Sequence, residues 1–388
     1  MSKLDELIAK LCPDGVEYIA IGKVVKYEQP TNYIVKSTDY SDAFSIPVLT
    51  AGQSFILGYT DEKVGIYNAS KENPVIIFDD FTGAFKWVNF PFKVKSSAMK
   101  ILTSEEDEIM IRYVFHVMGS MEFTSDEHKR LWISTYSMIK IPFPPLPIQR
   151  EIVRILDNFT ELTAELTAEL TARKKQYNYF CNKLLTQSNQ ISYIKVKDLA
   201  RFVYGFTDKA KDSGNVRYIR ITDIDESGRL KQQDKKFLNL SENNRRYLLK
   251  KGDLVMARTG ATFGKTLYFD NNEPAIYASF LIKIELSSNR ILNRFYWHFS
   301  KTSLYWDQAN NLVSTGGQPQ FNTGAIGNVI VPVPPLEEQK RIVAILDRFD
   351  KLCNDLSEGL PAEIEARQKQ YEYYRDKLLT FKEKAIGG

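Results

Sequence analysis

The sequence predicts a mixed α/β fold present twice in tandem, each copy followed by a long helical arm, and three observations support this. The string IKIPFPPLPIQREIVRILDNF, from Ile139 to Phe159, returns as VIVPVPPLEEQKRIVAILDRF from Val329 to Phe349. A second string, LTAELTARKKQYNYFCNKLLT (Leu166–Thr186), returns as LPAEIEARQKQYEYYRDKLLT (Leu360–Thr380). Ahead of each pair lies a dissimilar stretch of short apolar runs punctuated by Gly, Asn and Ser, the pattern of short strands and turns. A repeat of this kind organises a whole chain. The first string recurs at an offset of 190 and the second at 194, so the second arm is longer by 194 − 190 = 4 residues.

Taken in order, residues 1–140 read as the first domain. Its opening, VEYIAIGKVVKY (Val16–Tyr27), has a counterpart in ISYIKVKDLARF (Ile191–Phe202). Val75–Phe78, before Asp79 and Asp80, reads as a strand, and the aromatic-rich stretch Ile109–Phe123 as a buried amphipathic helix. Residues 141–187 read as a Pro-rich hinge and a central arm helix. IPFPPLP is expected to stay out of the helix, because proline lacks the amide donor and restricts its predecessor. Beyond it Ile152, Ile155, Phe159, Leu162 and Leu166, with Leu170 following, step by three and four residues and make one apolar stripe. The tetrad TAEL stands at 163–166 and again at 167–170. Four residues turn a helix by about 400°, so each tetrad rotates the stripe by about 40° and lengthens the arm by about 6 Å, a stutter in coiled-coil terms.

Residues 188–331 read as the second domain, with Leu254–Ala257 a strand after Gly252 and Asp253, and Ile291–Trp306 a buried helix. Residues 332–388 repeat the hinge and arm, with Ile342, Ile345, Phe349, Leu352 and Leu356 as the stripe. This arm is expected to break near Glu358 and Gly359 and to restart with Pro361 at a first helical position, where proline is tolerated. Both arms carry one stripe over one length, which favours their packing on each other. The alternative is that each stripe packs on its own domain.

The net charge of +4 says little, but its distribution says more. Residues 16–140 hold 13 Lys and Arg against 16 Asp and Glu, a net of −3, whereas residues 188–331 hold 21 against 13, a net of +8. The second half therefore has the charge for phosphate contacts. Cys12, Cys181 and Cys353 are scattered singly, without metal-ligand spacing, as in a reducing cytoplasm. The charged N-terminus is unlike a secretion signal, and no run of about 18 apolar residues suggests a membrane span.

Catalytic motifs are missing. Transfer of a methyl group to adenine N6 calls for Asp/Asn-Pro-Pro-aromatic. Asn89-Phe90-Pro91-Phe92 lacks the paired prolines, and Phe143-Pro144-Pro145-Leu146 lacks the Asn or Asp. Thr259-Gly260-Ala261-Thr262-Phe263-Gly264-Lys265-Thr266 suggests a phosphate loop, but only three residues separate its glycines where four are needed. A Gly-rich turn between strands fits better. His116 and His298, at matching positions on aromatic-rich helices, read as satisfied packing histidines rather than metal ligands or catalysts.

Readers of base edges are Arg, Lys, Asn, Gln, Ser and Thr on loops and strands. In the second domain Arg217-Tyr218-Ile219-Arg220 reads as a strand presenting both arginines on one face. Arg258 and Lys265 flank the Gly-rich turn, and Gln318, Gln320 and Asn322 lie in a polar loop ahead of the hinge. In the first domain the candidates are Lys36, Gln53, Lys86, Lys129 and Arg130. Each competes with a plain solvated role.

The twice-repeated PPL…Q hinge, the arms ending KQY…KLL, the TAEL run and the two dissimilar domains resemble the specificity subunit of Type I restriction-modification systems. The resemblance covers nearly the whole chain. It implies two target-recognition domains, each reading half of a split, asymmetric DNA site. It also implies two antiparallel arms forming a coiled-coil spacer, with a pseudo-two-fold internal repeat. About 36 helical residues would span about 54 Å, roughly one and a half turns of duplex at about 3.4 Å per base pair. The implied partners are double-stranded DNA, two methyltransferase subunits and motor-nuclease restriction subunits, in a bacterial or archaeal cytoplasm. The chain itself would be non-catalytic and bind no cofactor, with S-adenosylmethionine, ATP and Mg on the partners. The rival readings are a protein-interaction adaptor with two ligand domains on a helical rod, and an enzyme acting on DNA alone. Salt-dependent duplex binding separates the first rival, and activity of the isolated chain separates the second.

Overall fold

A computed structural model describes residues 2–50, 55–104, 108–121, 130–186, 190–314, 319–355 and 358–384. The chain forms two compact units, residues 1–164 with 365–388 and residues 165–364. Each unit is a domain plus a segment of both arms.

In chain order the first domain begins with α1 (Lys3–Leu11), β1 (Glu17–Ala20), α2 (Ile21–Val24) and β2 (Val25–Glu28). Then come β3 (Ile46–Leu49), β4 (Ile56–Thr60), β5 (Val75–Asp79), β6 (Phe85–Val88), β7 (Lys93–Val94) and β8 (Met99–Ser104). α3 (Ile111–Gly119), α4 (Leu131–Ser134), β9 (Lys140–Phe143) and the arm helix α5 (Leu146–Thr186) complete the half. α1 starts where Ser2 and Asp5 cap each other: the Ser2 hydroxyl accepts from the Asp5 amide and the Asp5 carboxylate from the Ser2 amide.

The second domain has β10 (Ser192–Lys195), β11 (Ala200–Tyr204), β12 (Val216–Ile219), β13 (Phe237–Leu238), α6 (Glu242–Arg245) and β14 (Leu254–Ala257). β15 (Thr266–Tyr268), β16 (Ala275–Tyr277), β17 (Leu281–Leu286), α7 (Asn293–Phe299), α8 (Ser303–Leu312), α9 (Thr323–Asn328) and β18 (Ile330–Val333) follow. The second arm is α10 (Leu336–Asn354) and α11 (Leu360–Leu378).

The two domains share one topology that their sequences hide. The first has sheets β2-β8-β5-β6 and β4-β3-β7, the second β11-β17-β14-β15 and β13-β12-β16. In both three-stranded sheets one pair is parallel, β3 with β7 and β12 with β16. A two-stranded ribbon joins each domain's opening strand to its hinge, β1 with β9 and β10 with β18. Tyr18 is opposite Pro142 and Tyr193 opposite Pro332. Ile76, Phe78, Leu102, Tyr113, Val114 and Trp132 pack in the first core, and Leu254, Met256, Ile282, Phe295, Tyr296 and Trp297 in the second.

Several expectations change here. The hinge is partly strand, and helix α5 takes in Pro147 in its first turn, where the absent amide costs nothing. The Ile291–Trp306 stretch holds α7 and the start of α8, which Thr302 caps with its hydroxyl. The arm stripe is divided between two faces. Ile152 and Ile342 are buried with Ile148, Leu156 and Leu346 in the domain cores, so this edge packs on its own domain. Ile155, Phe159, Leu162, Leu166, Leu170, Ile345 and Phe349 are only half-buried, and Leu352 is exposed. From that second edge Phe159 stacks on Tyr374 in one unit and Phe349 on Phe180 in the other, each from the opposite arm. Leu356 lies outside the described residues. The arm break falls where expected, with Pro361 in the first turn of α11.

Candidate nucleic-acid interface and the joints that carry it

Each arm enters its domain through the same joint. Gln149 is fully buried; its Nε2 donates to the carbonyls of Glu108 (2.9 Å) and Pro144 (2.8 Å), and its Oε1 accepts from the amide of Met110 (2.9 Å). Gln339 repeats this with Arg290 (2.9 Å), Pro334 (2.8 Å) and Leu292 (2.9 Å). Met110 and Leu292 are the N-caps of α3 and α7, and neither helix has a side-chain cap of its own. The glutamine supplies an acceptor at a helix start that lacks one, while its other end ties down the hinge.

Further along, a histidine holds two arms at once. His116 Nε2 lies 2.8 Å from the Asp157 carboxylate on the first arm, and Nδ1 lies 3.1 Å from the Tyr371 hydroxyl on the second. His298 Nε2 lies 2.7 Å from Asp347 on the second arm, and Nδ1 lies 2.9 Å from the Tyr177 hydroxyl on the first. A neutral ring protonated at Nε2 satisfies both contacts, donating to the carboxylate and accepting from the tyrosine. Burial lowers His298 to about 4 and pushes His116 down as well, outweighing the carboxylates that work to raise them. Burial works to raise Asp157 and Asp347, but the histidines and Arg112 or Arg294 outweigh it and hold both carboxyls low. Arg112 Nε and Arg294 Nε each lie 2.7 Å from those carboxylates, over Trp87 and Trp297 respectively. No group of three or more metal-ligating side chains occurs among the described residues.

The second unit adds a buried ionic cluster. Asp350, fully buried, is held by Lys301 at 3.0 Å and by Arg229, with Arg294 at 3.7 Å. Burial lowers Lys301 to about 8 despite Asp350, and Asp350 itself is kept low because the cations outweigh burial.

The candidate DNA readers fall into distinct places. Arg217 is not on an open face: it is 1% exposed, donates to the Lys231 carbonyl and stands 3.6 Å from Glu273. Arg220 lies beyond the end of β12 and clamps Asp223 through Nη2 at 2.7 Å. Residues three apart on a strand point to opposite faces, so the two arginines never shared one. Lys265, the last residue of the turn between β14 and β15, is tied to Glu226. That Gly-rich turn is a 3-10 turn with Gly260 and Gly264 at positive φ (68° and 79°), continuing into strand rather than helix. Arg258 and Gln320 are half-buried and touch, Nη1 to Oε1 at 3.2 Å. Asn322 is exposed, and its side chain caps α9 by accepting from the Ala325 amide. In the first domain Lys36, Lys86 and Arg130 are exposed, and no contact links them to one another. Gln53, Lys129 and Gln318 lie outside the described residues.

The sequence reading missed the joints' roles. Their signal was present in the aligned strings, where Asp157 matches Asp347, Gln149 matches Gln339 and Tyr177 matches Tyr371.

Two domains of one topology and divergent surface, each pinned by one set of contacts to segments of two helical arms, define a duplicated recognition protein. A family model described as Type I restriction modification DNA specificity domain matches twice, over residues 13–173 and 189–366. The chain is 42% identical, over 98% of its length and 97% of the relative's, to the Escherichia coli Type I restriction enzyme EcoR124I/EcoR124II specificity subunit. A putative Type I specificity subunit of Haemophilus influenzae is 32% identical over 85% of this chain and 86% of its own. The crystal structure of a Type I restriction-modification S subunit from M. genitalium shares the fold, with a TM-score of 0.61 at 14% identity, covering 94% of this chain and 96% of that one. The chain belongs to the Type I restriction-modification specificity-subunit family, which sets aside the adaptor reading.

Proposed function

We propose that this specificity subunit reads a split, asymmetric DNA site, one half with each domain, and does no chemistry itself. The arms form the antiparallel coiled-coil spacer that sets the gap. The observation that carries this reading is the twice-built joint beneath two domains of equal topology and different surface. Equal joints place two domains equivalently, and different surfaces let them read different bases. Each compact unit takes the beginning of one arm and the end of the other, the order an antiparallel pair requires.

Two adenine methyltransferase subunits dock on this scaffold and motor-nuclease subunits join them. S-adenosylmethionine serves the former, ATP and Mg the latter. The methyltransferase flips its adenine from the stack, because a stacked base is inaccessible. Lys36, Lys86, Arg130, Lys265 and Asn322 supply phosphate and polar contacts. The test is genome-wide mapping of N6-methyladenine with this chain and its methyltransferase, against the methyltransferase alone. A split motif of fixed gap appearing only with this chain is expected. No new motif, while both subunits are soluble and associated, overturns the proposal.

A further inference from the structure

In the second domain Arg258 is held by backbone carbonyls, an amide and two rings rather than by a carboxylate. Arg217, Arg220, Arg229 and Arg294 each face an acidic side chain. Among the described residues Arg258 faces none. Its backbone is pinned on both sides: its amide donates to Phe280 O (3.0 Å), and its carbonyl accepts from the Phe321 amide (2.7 Å). Its side chain is pinned too, with Nε donating to the Ser279 carbonyl (3.1 Å) and Nη1 to Gln320 Oε1 (3.2 Å). Two aromatic rings flank the guanidinium, Tyr204 at 5.4 Å and Phe280 at 5.5 Å. Both rings are large and exposed, at 43% and 51%.

The chemistry of this cluster is one-sided. Nη2 and the second hydrogen of Nη1 meet no protein acceptor among the described residues. Gln320 spends its only side-chain acceptor on the arginine, so its free end is the donor Nε2. Among the described residues the open guanidinium edge and Gln320 Nε2 therefore present donors, in a plane held between two aromatic rings. In the major groove guanine presents two adjacent acceptors, N7 and O6, whereas adenine mixes an acceptor with a donor and thymine offers one acceptor beside a methyl. A phosphate accepts the same fork, but a lysine's point charge binds it as well, whereas the paired acceptors of a guanine edge call for the fork. A planar fork fixed between exposed rings matches a base edge, with the rings facing neighbouring sugars and bases.

We propose that Arg258 is a specificity-determining residue that reads a guanine in the half-site bound by the second domain, with Gln320 as its positioning partner. The proposal rests on the DNA-specificity reading above. It is tested by mapping N6-methyladenine in cells carrying the methyltransferase with the full-length chain, either unsubstituted or as R258A or R258K. R258K keeps the charge and loses the fork. Both variants are expected to lose preference for guanine at one position of one half-site by about 10- to 100-fold, leaving the other half-site and the gap unchanged. An unchanged motif, with methylation lowered uniformly in R258A and restored in R258K, assigns Arg258 to a phosphate and overturns the proposal. So does a motif without guanine in the unsubstituted protein, or relaxation at another base. If R258A does not associate with the methyltransferase, R258K decides on the same criterion, and its own failure to associate would assign Arg258 to folding. Absence of any split motif with the unsubstituted chain would instead count against the bipartite reading.

Discussion

Replacing Gln339 with leucine isolates the joint. Leucine nearly fills the amide's volume but removes its donor and its acceptor together. Three backbone groups lose their partner: the Pro334 carbonyl, wholly buried, and the Arg290 carbonyl and Leu292 amide, partly buried. A buried orphaned group costs about 1–3 kcal/mol. With Pro334 bearing the full cost and the other two a fraction, the joint loses about 2–4 kcal/mol. The Leu292 amide reports this directly, because its hydrogen bond is to Gln339 Oε1. Hydrogen exchange at Leu292 should therefore quicken by about 30- to 1,000-fold in Q339L if local opening controls it. The equivalent Q149L should leave Leu292 alone and deprotect Met110. Leu292 protection within about threefold of the unsubstituted protein in Q339L would refute the claim that this side chain holds hinge and helix together. Gln339→Glu adds a control: a carboxylate still accepts from Leu292 but cannot donate to two carbonyls, so Q339E should be less stable at pH 8 than at pH 5.

Deleting residues 163–166 shortens the first arm by about 6 Å, so the methylated motif should keep its half-sites and change its gap; an unchanged gap refutes the spacer role. His298 is neutral in the fold with its pKa lowered to about 4 from about 6.5 unfolded, so its contribution is present above 6.5 and lost as pH falls towards 4. Between pH 7.5 and 5.5 this amounts to about 1 kcal/mol. H298Q should unfold in urea with a shallower pH dependence, and equal slopes would refute the assignment. Arg217, buried beneath its sheet, should tolerate methionine without any change of methylated motif; a new motif in R217M would contradict its placement away from DNA.

How much was legible follows from how local each feature is. The arms were readable because Ile152, Phe159, Ile342 and Phe349 repeat at helical spacing within one segment. Which edge of the stripe meets which neighbour was not, because Ile152 and Phe159 look alike as apolar residues and only tertiary packing separates a domain core from a partner helix. The shared sheet order of the two domains was invisible, because strand pairing is non-local and β5 and β14 need not resemble each other to occupy one place. Arg217 misled because an arginine beside apolar residues reads as one face of a base-reading strand, while its burial beside Glu273 depends on residues far along the chain. His116 and His298 read correctly as packing residues, yet their tyrosine partners lie 255 and 121 residues away.

Duplication also lets one half serve as the control for the other. What the two halves share marks what positioning requires: Gln149 and Gln339, His116 and His298, Asp157 and Asp347, Tyr371 and Tyr177, Arg112 and Arg294. What they do not share marks where reading can differ. The residue leaving β14 is Arg258, a rigid donor flanked by exposed rings. The residue leaving the topologically equivalent β5 is Asp80, 1% exposed, which pairs with Lys100 at 3.3 Å and accepts from the Trp132 amide. One corner of a common fold thus carries, among the described residues, a cation without a carboxylate partner in one half and an ion-paired anion in the other. A base edge that suits the first has no counterpart on the second, and the net charges of +8 over residues 188–331 and −3 over residues 16–140 follow the same division. Two domains mounted alike but charged so differently are expected to select different half-sites, so the asymmetry of the DNA site originates in the domain surfaces while the joints remain the same.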